Sequence, residues 1–158
     1  MKQTDIDYAQ NHLRILSGLY GLVSPLDLIQ PYRLEMGTKF PCDGNKNLYE
    51  FWGETITKKL NILLKKEKTL VNLASKEYFD AVNVKELKAK IIVPSFKEKK
   101  ADGFKMVGIF AKKARGMMSR YIIDNRIKDP KGLLDFNIDR YKYNKKLSTE
   151  LNPVFTRS

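Results

Sequence analysis

A cluster of cations lies between Phe104 and Arg126, and its residue types point most directly to chemistry. On a helix projected at about 100° per residue, five basic side chains fall on one side, spread over roughly 160°. They are Lys112, Lys113, Arg115, Arg120 and Arg126. Gly116 and Ser119 lie within the same arc, so a ligand's backbone could approach closely. Since Arg and Lys neutralise phosphates, this face predicts a phosphate-binding surface.

The other side of this helix is apolar over an arc of roughly 100° and includes Phe110, Ala114, Met117, Met118 and Tyr121. A solvated charged face is the simpler interpretation of the cations. Two features favour phosphate binding. No acidic residue lies between Lys105 and Asp124 to neutralise the cations at helical spacing, and Gly116 weakens a helix by about 1 kcal/mol relative to Ala. The pattern does not explain Ile123, which falls within the basic arc.

Length and composition predict one basic domain over residues 1–158. The chain is 42% hydrophobic, enough for a packed core, and carries a net charge of +12 with a pI near 9.7. That charge favours polyanionic partners, with nucleic acid first and an anionic membrane surface second. No apolar run approaches the roughly 18 residues of a membrane span, and the predicted partner is DNA and not a membrane. The single cysteine, Cys42, fits a reducing compartment, and the predicted location is the cytoplasm.

The same composition restricts metal and cofactor chemistry. One cysteine and one histidine are too few for a Cys/His zinc site, and we predict no metal and no cofactor. Cys42 and His12 could in principle act as nucleophile and base. That pairing is disfavoured because Cys42 lies in a loop rich in Pro and Gly.

The segments that position these residues predict an α+β fold. We expect a helix over Asp5–Leu16 with Thr4 as its N-cap, and a helix from Leu48 to about Lys66 capped by Asn47. Between them, residues 17–37 are apolar but interrupted by Gly and Pro, which predicts a structured loop lying across the core. This loop supplies Tyr20, Tyr32, Arg33 and Glu35.

Short strands and turns make up most of the remaining prediction. Strands are expected near residues 70–73, 91–93, 104–106, 141–143 and 154–156, with short helices after Ser75 and near 133–136. Residues 97–103 are interpreted as a charged turn. The result is a compact single domain in which helices pack a small mixed sheet.

Five blocks of this sequence resemble the YaaA peroxide-stress family: LSGLYGLVSPLDLIQPYRLEMG (16–37), FWG with TITKKLN (51–61), VNLASKEYF (71–79), AKKARGMMSRYIIDNR (111–126) and VFTR (154–157). The blocks occur in family order over nearly the whole chain. The resemblance implies a cytoplasmic protein that protects against hydrogen peroxide by limiting free iron and oxidative DNA damage. It also implies binding to duplex or distorted DNA, and a compact α+β fold with a positively charged cleft.

Carried over residue by residue, the resemblance places nine residues in that cleft: Tyr20, Tyr32, Arg33, Glu35, Asn72, Lys112, Lys113, Arg115 and Arg120. Family members begin with a strand bearing an Ile-Ser-Pro-Ala-Lys type motif and a region with a helix-hairpin-helix element. This chain resembles the C-terminal three-fifths of the family, so we expect that N-terminal portion to be missing. A separately encoded N-terminal portion is then an expected partner.

Three hypotheses about function follow, and whether the chain is an enzyme stays open among them. The favoured one is a DNA-binding stress protein that contacts phosphates through Arg33 and the cations of residues 112–126, with Tyr20 and Tyr32 stacking on exposed bases. The alternative is an enzyme acting on a nucleotide or nucleobase, with Glu35 or Glu77 as acid/base and Lys112 or Lys113 as nucleophile or anion clamp. The third is an inactive remnant of the family.

Overall fold

A computed structural model describes residues 1–158. The chain forms four α-helices, eight short strands and three short 3-10 helices, which confirms the predicted α+β class with small mixed sheets. It divides into two compact units, one made of residues 1–68 and 74–89, the other of residues 69–73 and 90–158. They are called the first and the second unit. That residues 1–158 form one domain stays a prediction.

The first unit contains three helices and one hairpin. They are α1 (Gln3–His12), β1 (Ile15–Ser17), β2 (Gly21–Val23), α2 (Leu48–Leu63) and α3 (Lys76–Phe79). The predicted helix over Asp5–Leu16 was wrong at its end, because Leu13 takes an extended backbone and the following residues pair as β1 with β2. The predicted Thr4 cap was also wrong. The N-cap position is Lys2, and its backbone N–H donates to the Asp5 carboxylate at 2.8 Å.

Helix α2 packs against this hairpin. Asn47 caps the helix as predicted, accepting a hydrogen bond from the Glu50 backbone N–H at 3.0 Å. Trp52 on the helix donates its indole N–H to the Gly18 carbonyl at 2.8 Å. Its ring faces Gly21, whose φ of +71° is a conformation that favours glycine. Trp52 is therefore half-buried against the turn of the hairpin.

The loop predicted over residues 17–37 begins within the β1–β2 hairpin and is irregular from residue 24 onward, where most of it is exposed. Leu28 is 100% exposed, and Leu26 and Ile29 are 57% and 51% exposed. The buried apolar side chains of residues 17–37 are Leu22 and Met36. The prediction that this loop lies across the core was therefore wrong for most of its length.

The second unit is built on a four-stranded sheet of order β6-β5-β8-β7. Its strands are β5 (Ser95–Lys100), β6 (Gly103–Lys105), β7 (Lys142–Tyr143) and β8 (Val154–Arg157), with β5 and β8 parallel and the outer pairs antiparallel. A separate parallel pair joins β3 (Thr69–Val71) to β4 (Lys90–Ile92). The predicted charged turn over 97–103 was wrong, since β5 continues through Lys100.

Helix α4 (Gly108–Asp124) covers one face of this sheet. Ala114 and Met118 of the helix join Phe96 of β5 and Phe155 of β8 in one buried core. Short 3-10 helices over Pro130–Asp135, Ile138–Arg140 and Lys145–Leu147 complete the unit. None of the helices in the chain is both long and apolar enough to cross a bilayer.

Candidate functional site

Helix α4 presents the predicted cations on the surface of the second unit. The helix begins after Val107, whose backbone is extended, and it is fixed by the buried side chains of Ala111, Ala114 and Met118. This burial confirms the apolar stripe at Ala114 and Met118. Phe110, which belongs to the same predicted apolar arc, is 38% exposed.

The four helical cations differ in their freedom to meet a ligand. Lys112 and Lys113 are exposed. Arg115 is half-buried, and its Nε–H donates to the Ala111 carbonyl at 3.3 Å. Arg120 lies 2.8 Å from the Asp124 carboxylate, one turn further along the helix. The accessible positive charge is therefore concentrated in the first half of α4.

Two features interrupt the predicted basic face near its C-terminal end. Arg126 lies beyond the helix and has a φ of 47°, in the left-handed region, so it does not continue the helical arc. Ile123, which the pattern left unexplained, is buried with 7% exposure. Placing Arg126 on the helical face was thus wrong. Gly116, by contrast, has open space where a Cβ would be, as a close approach by a ligand would require.

A buried ion pair that no local sequence pattern predicts lies where the start of α4 meets the sheet. The Arg157 Nε–H donates to the Glu98 carboxylate at 2.8 Å, with side-chain exposures of 12% and 11%. The Tyr141 hydroxyl donates to the other carboxylate oxygen, and Asp139 also pairs with Arg157. The Arg157 guanidinium lies 4.8 Å from the ring centroids of both Phe110 and Tyr141.

This network sets the ionisation of its members. Burial alone would raise the pKa of Glu98, but the hydrogen bonds from Tyr141 and Arg157 outweigh it and hold that pKa below its usual range. Burial and the hydrogen bond to Glu98 raise the pKa of Tyr141. Glu98 is therefore a charged, fully hydrogen-bonded group within the core. Through Arg157, the network also contacts Phe110 near the start of α4.

The first unit brings together three of the predicted aromatic and acidic residues. Tyr20 and Tyr32 meet edge to face with ring centroids 5.5 Å apart. The Tyr32 and Ser17 hydroxyls share a hydrogen bond of 2.5 Å, and the Ser17 Oγ also accepts from the Tyr20 backbone N–H at 2.9 Å. Ser17 is buried and was not predicted, since an isolated serine in a strand gives no sequence signal.

Glu35 lies next to this aromatic pair through Tyr78. The Tyr78 hydroxyl donates to the Glu35 carboxylate at 2.5 Å. That hydrogen bond, with burial and the nearby charges, raises the pKa of Tyr78 to about 12. The phenol therefore stays protonated at neutral pH and acts as a donor. Glu77, from the same helix α3, accepts from the Gly37 backbone N–H at 3.0 Å, so both carboxylates hold the loop that follows Tyr32.

The two remaining cleft candidates have different surroundings. Arg33 is exposed in the loop of the first unit. Asn72 is half-buried and directly follows β3 in the second unit, where its backbone N–H donates to the Ile92 carbonyl at 2.8 Å. The candidates are thus divided between the units. A shared cleft stays a prediction, as does an enzyme that combines Glu35 or Glu77 with Lys112 or Lys113.

Positive charge is distributed unevenly along the chain. The second unit contains seventeen Lys and Arg against seven Asp and Glu, so it carries +10 of the total charge of +12. The first unit, with thirteen against eleven, is nearly neutral. Nowhere in residues 1–158 do three or more His, Cys, Asp or Glu side chains come together in a way that could hold a metal ion. A charge of this size and sign attracts polyanions electrostatically.

Fold and surface together define a small α+β protein with a strongly basic half. Its family follows from sequence comparison. Residues 1–147 match the family described as "Peroxide stress protein YaaA", and the chain belongs to this family, as the resemblance predicted.

Curated bacterial relatives named UPF0246 proteins show the same relationship. The chain is 56% identical over 154 residues to the protein of Acaryochloris marina, covering 98% of this chain and 61% of that protein. It is 57% identical over 152 residues to the protein of Flavobacterium johnsoniae, covering 96% and 60%. For Neisseria gonorrhoeae the identity is 52% over 160 residues, covering 100% and 62%. The chain thus spans about three-fifths of the length of these relatives.

Proposed function

We propose that this chain acts in the peroxide-stress response by binding DNA without sequence preference through the first half of helix α4. The observation that carries the proposal is the exposed pair Lys112 and Lys113 within a unit of charge +10. The family description supports the stress role. Binding of this kind rests on phosphate neutralisation and release of counterions.

The proposed contacts leave out Arg120, because it is already paired with Asp124. Lys112, Lys113 and Arg115 then remain as the principal phosphate ligands on the helix. If about three phosphates are neutralised, log K should fall against log salt with a slope near −3. Sequence preference should be weak, because contacts to phosphate carry no base information.

The location of the site is tested by replacing the lysine pair. Lys112→Gln with Lys113→Gln should lower the affinity for a labelled duplex by at least tenfold and reduce the salt slope by about 2. Lys145→Gln with Lys146→Gln is the matched control, because it also removes two adjacent, exposed lysines of the second unit. Equal losses in the two double variants would mean that net charge, and not the helix face, determines binding.

The stress role is tested with the same variants. We propose that bound protein limits iron-dependent oxidative damage to DNA. Nicking of a supercoiled plasmid by ferrous iron and hydrogen peroxide should therefore decrease when the chain is present at low salt. Protection by the Lys112/Lys113 double variant equal to that by the original chain would separate protection from DNA binding at α4 and contradict this part of the proposal.

A further inference from the structure

The face of the four-stranded sheet opposite helix α4 forms a second basic surface. Phe96 and Phe155 point into the core with α4. Because side chains alternate along a strand, the residues on either side of them point to the opposite face, here called the outer face. Across the four strands, the outer face consists of Phe104, Ser95, Lys97, Lys99, Val154, Thr156 and Lys142.

The strand register places these residues next to one another. Lys97 of β5 lies opposite Thr156 of β8, which in turn lies opposite Lys142 of β7. On the other side of β5, Lys99 lies opposite Phe104 of β6. Lys97 and Lys99 are two residues apart along one strand, or about 7 Å, and Lys97 and Lys142 are two strands apart, or about 10 Å. Three cations and one aromatic ring therefore share a small area.

No acidic residue belongs to the outer face, and the acids of this unit are largely occupied elsewhere. Five of its seven carboxylates form ion pairs with other cations: Glu98, Asp102, Asp124, Asp139 and Glu150. Lys97, Lys99 and Lys142 form no ion pair. Lys99 and Lys142 are exposed, and Lys97, Thr156 and Phe104 are half-buried. Val154, opposite Ser95, is buried with 4% exposure, so the accessible part of the outer face is the part that contains the lysines. The outer face thus has positive charge that no group of its own unit neutralises.

This combination fits a single strand better than a duplex. Cations along a strand can follow a nucleic-acid backbone, while an aromatic side chain offers its ring to an unstacked base. A duplex keeps its bases stacked inside, out of reach of a ring on a sheet surface. An anionic membrane would favour exposed apolar side chains for insertion, and Phe104 is the single aromatic residue on the outer face.

We propose that the outer face binds single-stranded nucleic acid, with Lys97, Lys99 and Lys142 on phosphates and Phe104 stacked on a base. This site is separate from the one proposed on α4, because the helix packs on the inner face of the same sheet. Each can fail without the other. Affinity for single strands and affinity for duplex therefore test the two proposals independently.

The experiment measures fluorescence anisotropy with a labelled oligothymidine and a duplex of the same length, using the full chain. Lys97→Gln with Lys99→Gln should lower the affinity for the single strand by at least tenfold and change the duplex affinity by less than twofold. Lys112→Gln with Lys113→Gln should show the reverse pattern. Lys97→Arg with Lys99→Arg should retain the single-strand affinity of the original chain, because this double variant keeps both charges.

The stacking contact is tested separately at Phe104. Phe104→Leu should lower the affinity for oligothymidine by about fivefold or more, whereas Phe104→Tyr should retain it. An abasic oligonucleotide of equal length should bind both variants and the original chain equally, since it offers phosphates without bases.

Three results would overturn the proposal. The first is single-strand affinity unchanged in the Lys97/Lys99 double variant. The second is an equal loss for single strand and duplex, which would indicate net charge alone. The third is a Lys97/Lys99 double variant that no longer binds phosphatidylserine vesicles but still binds the oligonucleotide, which would assign the surface to lipid. Circular dichroism of each variant checks that the lysine substitutions leave the fold unchanged.

Discussion

Replacing Arg157 with methionine should reveal how strongly the second unit depends on its buried ion pair. The substitution keeps an unbranched, apolar side chain of moderate size but removes the charge. Glu98 would then be left 11% exposed, with Tyr141 as its remaining hydrogen-bond donor in the network. A buried carboxylate that loses its cation keeps the full penalty of desolvation.

The expected magnitude follows from the contacts that are lost. A charge-assisted hydrogen bond contributes about 1.5–3 kcal/mol, and the cation above two aromatic rings adds about 1–2 kcal/mol. Breaking a buried pair from one side typically costs 3–5 kcal/mol, and we expect Arg157→Met to fall in this range. That is a large part of the roughly 5–15 kcal/mol that stabilises an ordinary domain.

The measurement is urea unfolding at pH 7, followed by circular dichroism. Arg140→Met is the matched control, since Arg140 is an exposed arginine in the same unit, and it should change stability by less than about 0.5 kcal/mol. Adding Glu98→Met to Arg157→Met should recover part of the loss, because the double variant no longer buries an unpaired charge.

The pH dependence gives a second check. The pKa of Glu98 is held below its ordinary value of 4.5, so its contribution to stability is present above that pH and is lost as the pH falls through its folded-state pKa. The difference between Arg157→Met and the original chain should therefore narrow in acid. The reasoning would be refuted if Arg157→Met lowered the free energy of unfolding by less than about 1 kcal/mol at pH 7. It would also be refuted if the stability difference between this variant and the original chain did not change with pH.

Two further predictions concern the first unit. Tyr78, whose pKa is raised to about 12, contributes stability below its ordinary value of 10.0 that is lost as the pH rises toward 12. Difference absorbance against Tyr78→Phe should show this late titration, and Glu35→Gln should move it back toward 10; a phenol that already titrates near 10 in the original chain would contradict the hydrogen bond. Gly21→Ala should lower the free energy of unfolding by about 2–4 kcal/mol. The new Cβ would lie 2.8 Å from the Trp52 ring, and the backbone at this position has a φ of +71°. Gly44 has a φ of +76° but no atom within 4 Å of an added Cβ, so Gly44→Ala should lower the free energy of unfolding by only about 1 kcal/mol, from backbone strain. Equal losses of stability in the two variants would exclude a clash with Trp52.

Elements with local signals were predictable from the sequence. Asn47 caps α2 at the predicted residue because the capping hydrogen bond spans only three positions. The helical period likewise located α4 and its buried Ala114 and Met118. Lys112 and Lys113 followed from the same period, since a residue's position on a helix fixes the side on which it lies.

Several errors come from contacts that a local pattern does not show. Residues Lys97–Lys100 look like a polar turn, but Lys97 and Glu98 pair with β8, far along the chain, while Lys99 and Lys100 pair with β6 just after a two-residue turn. Glu98 is buried because Arg157 is available 59 residues later. Tyr78 and Glu35 are 43 residues apart. No local pattern encodes such partners, so the polar clusters of both units could not be derived from spacing.

The interleaved path of the chain has a consequence for modularity. Residues 69–73 belong to the second unit although residues on both sides of them belong to the first, and β3 within them pairs with β4. A gene segment that encodes residues 90–158 would contain most of the second unit but would lack β3. Recombination could therefore not transfer this unit as one continuous segment. During synthesis on the ribosome, β3 is made before β4, so its parallel pairing can form only after β4 has also been synthesised.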